Sequence, residues 1–199
     1  MPRSEAQNEV IRDKRRKKIL DKSLFLFAIQ GFDDITVDDI TNESNCSHGL
    51  FYHYFDGKED IYSAIWEIGN RLPNYRAPLE EAKKAGGMKG LHMISRHAAS
   101  LVDAPREAVA LTRCLAIEGF ATSTAKLPIP KFDVYEMIVQ LVKEAQKSGD
   151  VDNKKDPRFI ATIFLDAVSG LTYRILTGGK DNAKAERVTE EAYLNILYL

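Results

Sequence analysis

Hydrophobic residues recur at intervals of three and four positions along most of the chain. No stretch alternates convincingly between hydrophobic and polar residues as a half-buried β-strand would. This spacing places the hydrophobic side chains on one face of successive helices. The pattern therefore predicts an all-α protein.

The first predicted helix follows a polar N-terminus. Residues 1–10 lack a hydrophobic pattern, and we expect them to be frayed. From about Arg12, a basic stretch leads into hydrophobic residues at Leu20, Leu24 and Phe27. Gly31 is expected to end this helix, because glycine readily adopts the backbone conformation of a helix C-cap.

Two short helical patterns follow, separated by a polar break. Thr36 is a good N-cap for the first, and Asn45 can adopt the left-handed conformation that a tight turn between helices needs. Ser47 is expected to cap the second helix, over residues 48–55, and Asp56 to cap the helix after it. The layout is that of a helix-turn-helix DNA-binding unit.

The second short helix carries the candidate chemistry. Phe51 and Phe55 are four residues apart, so they share a face that can anchor the helix to a small core. The residues left to point elsewhere are His48, Gly49, Leu50, Tyr52 and His53. Their side chains can contact base edges, thymine methyl groups or phosphates, and Lys58 can bind one more phosphate. The alternative is a small aromatic core helix with ordinary surface residues.

Residues 36–40, 46–55 and 58–61 together resemble the DNA-binding signature of the TetR family of bacterial repressors. The resemblance covers about 50 residues. It departs from the family pattern in the turn, where Ser44 and Asn45 replace the usual Ala-Gly and Cys46 replaces Val. Asn tolerates a tight turn and Cys is a small hydrophobic residue, so the fold is not threatened. The resemblance and the residue chemistry mark these candidates for DNA binding: Thr36, Val37, Ser47, His48, Gly49, Leu50, Tyr52, His53, Tyr54 and Lys58.

The helix beginning near Lys58 places Ile61, Ile65, Ile68 and Leu72 on one stripe, and Pro73 ends or kinks it. In the family that the signature resembles, this helix links the DNA-binding unit to the second domain. The resemblance implies a three-helix DNA-binding domain over residues 1–57 and, over residues 58–199, a helical bundle with an effector pocket. Large or polar-tipped residues on hydrophobic faces are the pocket candidates, and they are Trp66, His92, Phe120, Tyr135 and Phe164. Because those faces carry few charges, we expect a mostly apolar effector.

The resemblance also implies that the last two long helices form a homodimer interface. The candidates for this interface are Ala167, Gly170, Leu171, Ile175 and Leu194. Small residues let helices approach closely, and the larger ones supply apolar contact. The same stripe can also pack inside one chain, and some of it must.

Charge is distributed unevenly along the chain. The 199 residues carry a net charge of −1, with 44% hydrophobic and 29% charged residues, which is typical of a soluble globular protein. Residues 12–22 hold seven basic residues against two acidic ones. Acidic residues elsewhere in the N-terminal unit offset this excess. We therefore expect binding to depend on positioned contacts rather than on bulk charge.

Other classes of protein are disfavoured. The two cysteines lie far apart in sequence, and there is no secretory signal. No hydrophobic run is as long as a membrane-spanning helix requires. We therefore expect a cytoplasmic protein without membrane contact. Motifs of common enzymes are missing, and no metal or cofactor is expected. The leading hypothesis is a homodimeric repressor, released from a palindromic double-stranded DNA operator by a small effector. The alternatives are a helical small-molecule carrier with a purely structural helix-turn-helix, and an enzyme in the bundle.

Overall fold

The computed structural model describes residues 5–114, 134–178 and 189–198. Within these ranges the regular structure is helical, which confirms the predicted all-α class. The helices are α1 (Glu5–Gln30), α2 (Val37–Ser44), α3 (His48–Tyr54), α4 (Lys58–Arg71), α5 (Pro73–Ala85), α6 (Gly87–Ser100), α7 (Arg106–Thr112), α8 (Val134–Ser148), α9 (Pro157–Gly178) and α10 (Glu190–Asn195), and a 3₁₀ turn (Ile196–Tyr198) follows.

The first helix is longer than its hydrophobic pattern predicts. It begins at Glu5, so the expectation of a frayed stretch up to residue 10 is wrong for residues 5–10. Its buried positions start only at Ile19, and the turns before Ile19 are exposed apart from half-buried Ile11. The helix ends before Gly31, whose φ of 90° confirms the predicted C-terminal stop. The basic half of α1 therefore extends into solvent.

The helix-turn-helix packs on the second half of α1. Phe27 of α1 is fully buried and lies 5.4 Å from Phe32, measured between ring centroids. Ile40 of α2 and Phe51 of α3 are also fully buried. These side chains come from three helices and one connecting loop, so a single small core fixes α2 and α3 against α1.

The fourth helix lies between this unit and the bundle. Its residues Ile61, Tyr62 and Ile65 are buried, but Ile68 and Leu72 are 45% and 44% exposed. The prediction of one buried stripe therefore holds for only the first two turns. Pro73 opens α5, so the chain changes direction there, as predicted. The first helix packs against α7 of the bundle as well as against α2. The domain boundary between residues 57 and 58 therefore stays a prediction.

The end of α7 joins the helix-turn-helix unit to the bundle. Arg113 is buried, and its Nε donates a hydrogen bond to the carbonyl oxygen of Ala28 in α1. Its Nη1 donates to the carbonyl oxygen of Ser169 in α9, at 3.0 Å, and to the Ser169 hydroxyl, at 2.7 Å. The Tyr62 hydroxyl of α4 donates to the carbonyl oxygen of Cys114, at 2.9 Å. Two consecutive residues thus contact α1, α4 and α9.

The helix α9 contradicts the expectation that no hydrophobic stretch is long enough to span a membrane. It has 22 residues, and its most hydrophobic window has a mean hydropathy of 1.5, so it is long and apolar enough to cross a membrane. Half of that window is buried inside the protein. The buried residues include Phe164, Leu171 and Ile175. These properties are those of a core helix of a helical bundle.

The contact between α5 and α6 generates a stability prediction. A Cβ atom on Gly90 would lie 2.5 Å from the carbonyl oxygen of Ala82 and 2.7 Å from Cδ2 of Leu141. We expect Gly90→Ala to lower the free energy of unfolding by about 2 kcal/mol, because the helices must move apart to admit the methyl group. Urea denaturation followed by far-UV circular dichroism measures this change.

The matched control is Gly49→Ala. Nothing lies within 4 Å of a Cβ atom at Gly49, which also sits in a helix. There the substitution should be neutral or stabilise the fold by up to about 1 kcal/mol through helix propensity. Equal effects at the two positions would contradict the close approach of α5 and α6.

Candidate DNA interface

The sequence of α2 fixes its own start and end. The Asp39 backbone N–H donates to the Thr36 hydroxyl at 3.2 Å, and the Asp39 carboxylate accepts from the Thr36 backbone N–H at 2.8 Å. This reciprocal pair confirms Thr36 as the N-cap. Hydrogen bonds from the Thr36 hydroxyl and backbone lower the pKa of Asp39 below its ordinary value. At the other end, Asn45 adopts the predicted left-handed conformation, with φ of 50° and ψ of 57°.

The turn accommodates its departures from the family pattern. The Ser44 hydroxyl donates to the carbonyl oxygen of Ile40 at 2.6 Å, so a polar side chain is satisfied where it is buried. The Cys46 side chain is half-buried, and its backbone N–H donates to the carbonyl oxygen of Thr41 at 3.0 Å. Hydrogen bonds within the segment therefore hold the end of α2 and the start of the turn in place.

The third helix has one buried and one exposed face. The Ser47 hydroxyl accepts from the Leu50 backbone N–H at 3.2 Å, which confirms the predicted cap. Phe51 is fully buried, and Phe55 is buried directly after the helix. On the other side Tyr52 is 56% exposed. His48, Gly49 and His53 are also exposed, whereas Leu50 and Tyr54 are half-buried.

Not every candidate side chain is equally available to a partner. His48 Nε2 lies 3.1 Å from the Asp38 carboxylate and 3.4 Å from the Thr41 hydroxyl, so it already links α3 to α2. The Thr36 hydroxyl is used in the cap, and Val37 is half-buried against the core. Tyr52 and His53 are the exposed side chains of α3 best placed to contact bases or phosphates.

The structure places Lys58 differently from the phosphate contact expected from the sequence. Its Nζ donates hydrogen bonds to the carbonyl oxygens of Phe32 at 2.9 Å, Asp33 at 3.2 Å and Ile35 at 2.9 Å. The ammonium also lies 4.5 Å from the centroid of the Phe32 ring. An ammonium group has three N–H donors, and all three have partners. In this arrangement Lys58 fastens the loop after α1 to the start of α4.

A basic surface lies beside α3 on the exposed half of α1. The Arg16 guanidinium lies 5.0 Å from the centroid of the Phe55 ring, and Lys22 pairs with Glu43 of α2 at 2.8 Å. In the part of the chain that the structure describes, four exposed basic residues of α1 make no ion pair: Arg12, Lys14, Arg15 and Lys18. These exposed cations are free to attract a polyanion.

The pocket candidates do not come together as predicted. His92 is exposed, and its Nδ1 lies 3.1 Å from the Glu190 carboxylate. Phe164 is buried against Tyr193, with ring centroids 5.3 Å apart. Tyr135 and Trp66 are half-buried, the former with its hydroxyl 3.4 Å from the carbonyl oxygen of Arg158. Phe120 lies outside the described residues.

A cleft of about 620 Å³ lies elsewhere, between α1, α4, α5, α6 and α7. None of Trp66, His92, Tyr135 and Phe164 lines it. It is lined instead by residues of the exposed stripe of α4, among them Ile68 and Leu72, and by His97. The sequence shows Ile68 and Leu72 as the last residues of the hydrophobic stripe of α4. It does not reveal that they line a cleft or which helices face them. Among the described residues, no group of three His, Cys, Asp or Glu side chains converges as a metal site would require.

The dimer candidates divide between the core and the surface. Leu171 and Ile175 are buried within the chain, as the intramolecular alternative expects. Gly170 is exposed, with nothing within 4 Å of a Cβ atom, and Ala167 and Leu194 are half-buried. Small residues on the outer face of α9 thus leave room for a second helix.

Sequence comparisons agree with the geometry of α2 and α3. The model of the family described as bacterial regulatory proteins, tetR family, matches residues 19–65. HTH-type transcriptional regulator UidR of Escherichia coli K12 is 25% identical over 185 residues, covering 89% of this chain and 85% of UidR. The biofilm operon icaADBC HTH-type negative transcriptional regulator IcaR of Staphylococcus epidermidis is 38% identical over 47 residues, covering 24% of this chain and 25% of IcaR.

Solved structures share the fold over nearly the whole chain. A gamma-butyrolactone receptor (ArpA-like protein) superimposes with a TM-score of 0.55 at 18% identity, covering 94% of this chain and 98% of that protein. Regulatory protein TetR from Rhodobacter sphaeroides gives a TM-score of 0.52 at 19% identity, covering 91% and 95%. At these identities the likeness establishes the architecture of both parts of the chain.

The contacts of Lys58 generate a prediction. Lys58→Met keeps most of the side-chain length but removes the donors to three backbone carbonyls. We expect the free energy of unfolding to fall by about 2 kcal/mol, since carbonyl oxygens beside a half-buried ammonium lose their partner. Lys84→Met, at an exposed position of α5, is the control and should have little effect. If Lys58→Met leaves the free energy of unfolding unchanged but weakens DNA binding, Lys58 contacts phosphate as the sequence predicts.

Proposed function

This chain belongs to the TetR family of helix-turn-helix transcriptional regulators, and we propose that it binds a palindromic DNA operator as a homodimer and leaves it when a small effector binds the helical bundle. The TetR family is a family of regulators and not of enzymes. The observation that carries the proposal is the exposed face of α3, held in a fixed orientation by buried Phe51 and Phe55.

The exposed face of α3 suits the major groove. A helix fits this groove and reads base edges with a few side chains near its N-terminus. The His53 imidazole can bond to a base edge, whereas the Tyr52 hydroxyl can donate to a phosphate oxygen. Gly49 has no side chain and open space around it, so the backbone of α3 can approach DNA closely.

The basic half of α1 would add affinity without sequence preference. Its unpaired cations are exposed and can neutralise backbone phosphates, with release of counterions. The chain as a whole has a net charge of −1, so this attraction is local. It would orient the protein with α1 and α3 toward DNA.

A homodimer is the assembly that suits α9. Its exposed face carries Gly170 and half-buried Ala167, which permit close approach of a second copy. Two copies related by a twofold axis would present their α3 helices to successive major grooves, about 34–36 Å apart. A palindromic operator follows from that symmetry.

Repression and release by an effector are supported by relatives. IcaR, which matches the region of the helix-turn-helix, is named a negative regulator. A protein of the same fold is a gamma-butyrolactone receptor, so this architecture can hold a small molecule. An effector shifts DNA binding only if it prefers one of two conformations.

Selection of bound sequences from a random duplex pool tests the proposal. The purified protein at physiological salt should enrich a palindrome whose half-site centres are one helical turn apart, or a multiple of one. An enriched site without symmetry would contradict the dimer. No enrichment with ligand-free protein would contradict DNA reading and favour a small-molecule carrier.

Two variants assign roles within α3. His53→Ala should change the preferred base at one position of each half-site, with discrimination falling by about 1–3 kcal/mol there. Tyr52→Phe should select the same sequence as wild type but bind all sequences more weakly, because it loses a phosphate contact. Equal weakening on every sequence by His53→Ala would place that residue among the phosphate contacts instead.

A further inference from the structure

We propose that the cleft between α1 and the bundle binds a small, uncharged and mostly apolar molecule, and that this molecule is the effector. The inference rests on the proposed function and specifies the site and the ligand class that it leaves open. Residues of α1, α4, α5, α6 and α7 and of two connections between these helices line the cleft, among them Leu24, Phe25, Ile68, Tyr75, His97 and Ala108.

The size of the cleft suits a small organic molecule. Its volume is about 620 Å³, and ligand pockets generally span about 300–1,000 Å³. It lies where α1, α4 and α7 meet the ends of α5 and α6. A peptide or a second protein would need an extended surface, whereas this site is a single concave space.

The walls of the cleft expose hydrophobic surface. Ile68 and Leu72 are 45% and 44% exposed, and they belong to the exposed end of the α4 stripe. Leu24 and Phe25 contribute from α1, and Leu111 from α7. Large exposed hydrophobic residues that converge in a concave site gain free energy when a ligand removes them from water.

Two polar groups in the cleft make no hydrogen bond to any described residue. Neither the His97 imidazole nor the Tyr75 hydroxyl makes a hydrogen bond within the part of the chain that the structure describes. Burial lowers the pKa of His97 and raises the pKa of Tyr75, so both are uncharged at neutral pH. A neutral imidazole offers one donor and one acceptor, and a phenol offers one donor. They suit a ligand with a carbonyl, ester or hydroxyl group.

Charge at the cleft is confined to groups that do not favour an ionic ligand. Lys17 and Asp21 pair with each other at 2.5 Å, and their side chains are 74% and 48% exposed. Glu107 is exposed. A carboxylate buried among the hydrophobic walls would lose hydration without gaining an opposite charge beside it, and an ammonium would gain only the carboxylate of Glu107, whose attraction water screens at that exposed position. The cleft therefore selects uncharged molecules.

The position of the cleft connects binding to DNA reading. One wall belongs to α1, on which α2 packs with α3 beside it, and the opposite walls belong to α6 and α7 of the bundle. A ligand that fills the space contacts both parts at once. If the two parts shift between conformations, the ligand favours the one whose cleft fits it better.

The test uses Nile red, an uncharged apolar dye whose fluorescence rises in hydrophobic sites. Wild-type protein should bind it saturably. Ala108→Phe places a ring in the cleft and should weaken binding at least tenfold, whereas Ala77→Phe, at an exposed position of α5 outside the cleft, should not. Ile68→Lys, at an exposed position, should also weaken binding and guards against misfolding of the first variant. Equal dye affinity in Ala108→Phe, Ile68→Lys and wild type would overturn the site.

Competition against the bound dye tests the ligand class. The compounds are 2-decanone, decanoate and decylammonium, which share a chain length and differ in charge. The ketone should displace the dye at a concentration at least tenfold below that of either ion, and His97→Phe should reduce that advantage about fivefold. Displacement by an ion at equal or lower concentration would overturn the uncharged class.

DNA binding is read separately, on the palindrome selected with wild-type protein. If wild type selects no DNA sequence, the proposed function fails, whatever the dye does. If wild type and Ala108→Phe bind DNA alike but also bind the dye alike, only the assignment of the cleft fails. The two failures are therefore distinguishable.

Discussion

The hydrogen bonds of Arg113 hold the DNA-binding unit on the bundle. Its guanidinium donates to the carbonyl oxygen of Ala28, in the last turn of α1, and to Ser169 of α9. Carbonyls in the last turn of a helix have no partner within the helix, and the negative end of the helix dipole favours a cation there. Lys58 binds three further carbonyl oxygens in the loop after α1. Two cations, one from α7 and one from α4, thus fix the end of α1.

This arrangement explains how a short recognition helix can have a defined position. The third helix has only seven residues, and an isolated helix of that length is unstable in water. Its caps and its buried phenylalanines fix it beside α2, and α2 packs on α1. Because α1 is fixed in turn to α7 and α9, a movement in the bundle reaches α3 through packed and hydrogen-bonded elements. The cleft beside α1 lies directly on this route.

Local chemistry made the helix-turn-helix predictable. Thr36, Asn45 and Ser47 act through hydrogen bonds and backbone angles within a few residues, so their roles can be inferred from the sequence. The capping role of Asp56 was wrong, since Gly57 is the N-cap and Asp60 accepts from the Asp56 backbone N–H instead. At the start of α4, Asp56, Glu59 and Asp60 lie close enough in sequence for each to be a candidate for capping the helix.

Long-range contacts were not predictable in this way. Lys58 was expected to face DNA, but the loop after α1, more than 20 residues earlier, folds back over its ammonium group. His92 was expected on a hydrophobic face, and Glu190, 98 residues away, pairs with it at the surface. The pocket candidates were chosen for size and polarity on single helices. A cleft, however, depends on which faces of five helices leave space between them.

The most direct test of this account compares Arg113→Met with wild type on two duplexes, the selected palindrome and a single half-site. The account predicts that half-site affinity stays within about twofold, because the helix-turn-helix core is intact. Palindrome affinity should fall by at least about tenfold, or about 1.4 kcal/mol, because the spacing of the two α3 helices of the proposed homodimer is no longer fixed. Circular dichroism must show that the variant is folded. Equal losses on both duplexes, or no loss on either, would contradict the claim that Arg113 couples the bundle to the DNA-binding unit.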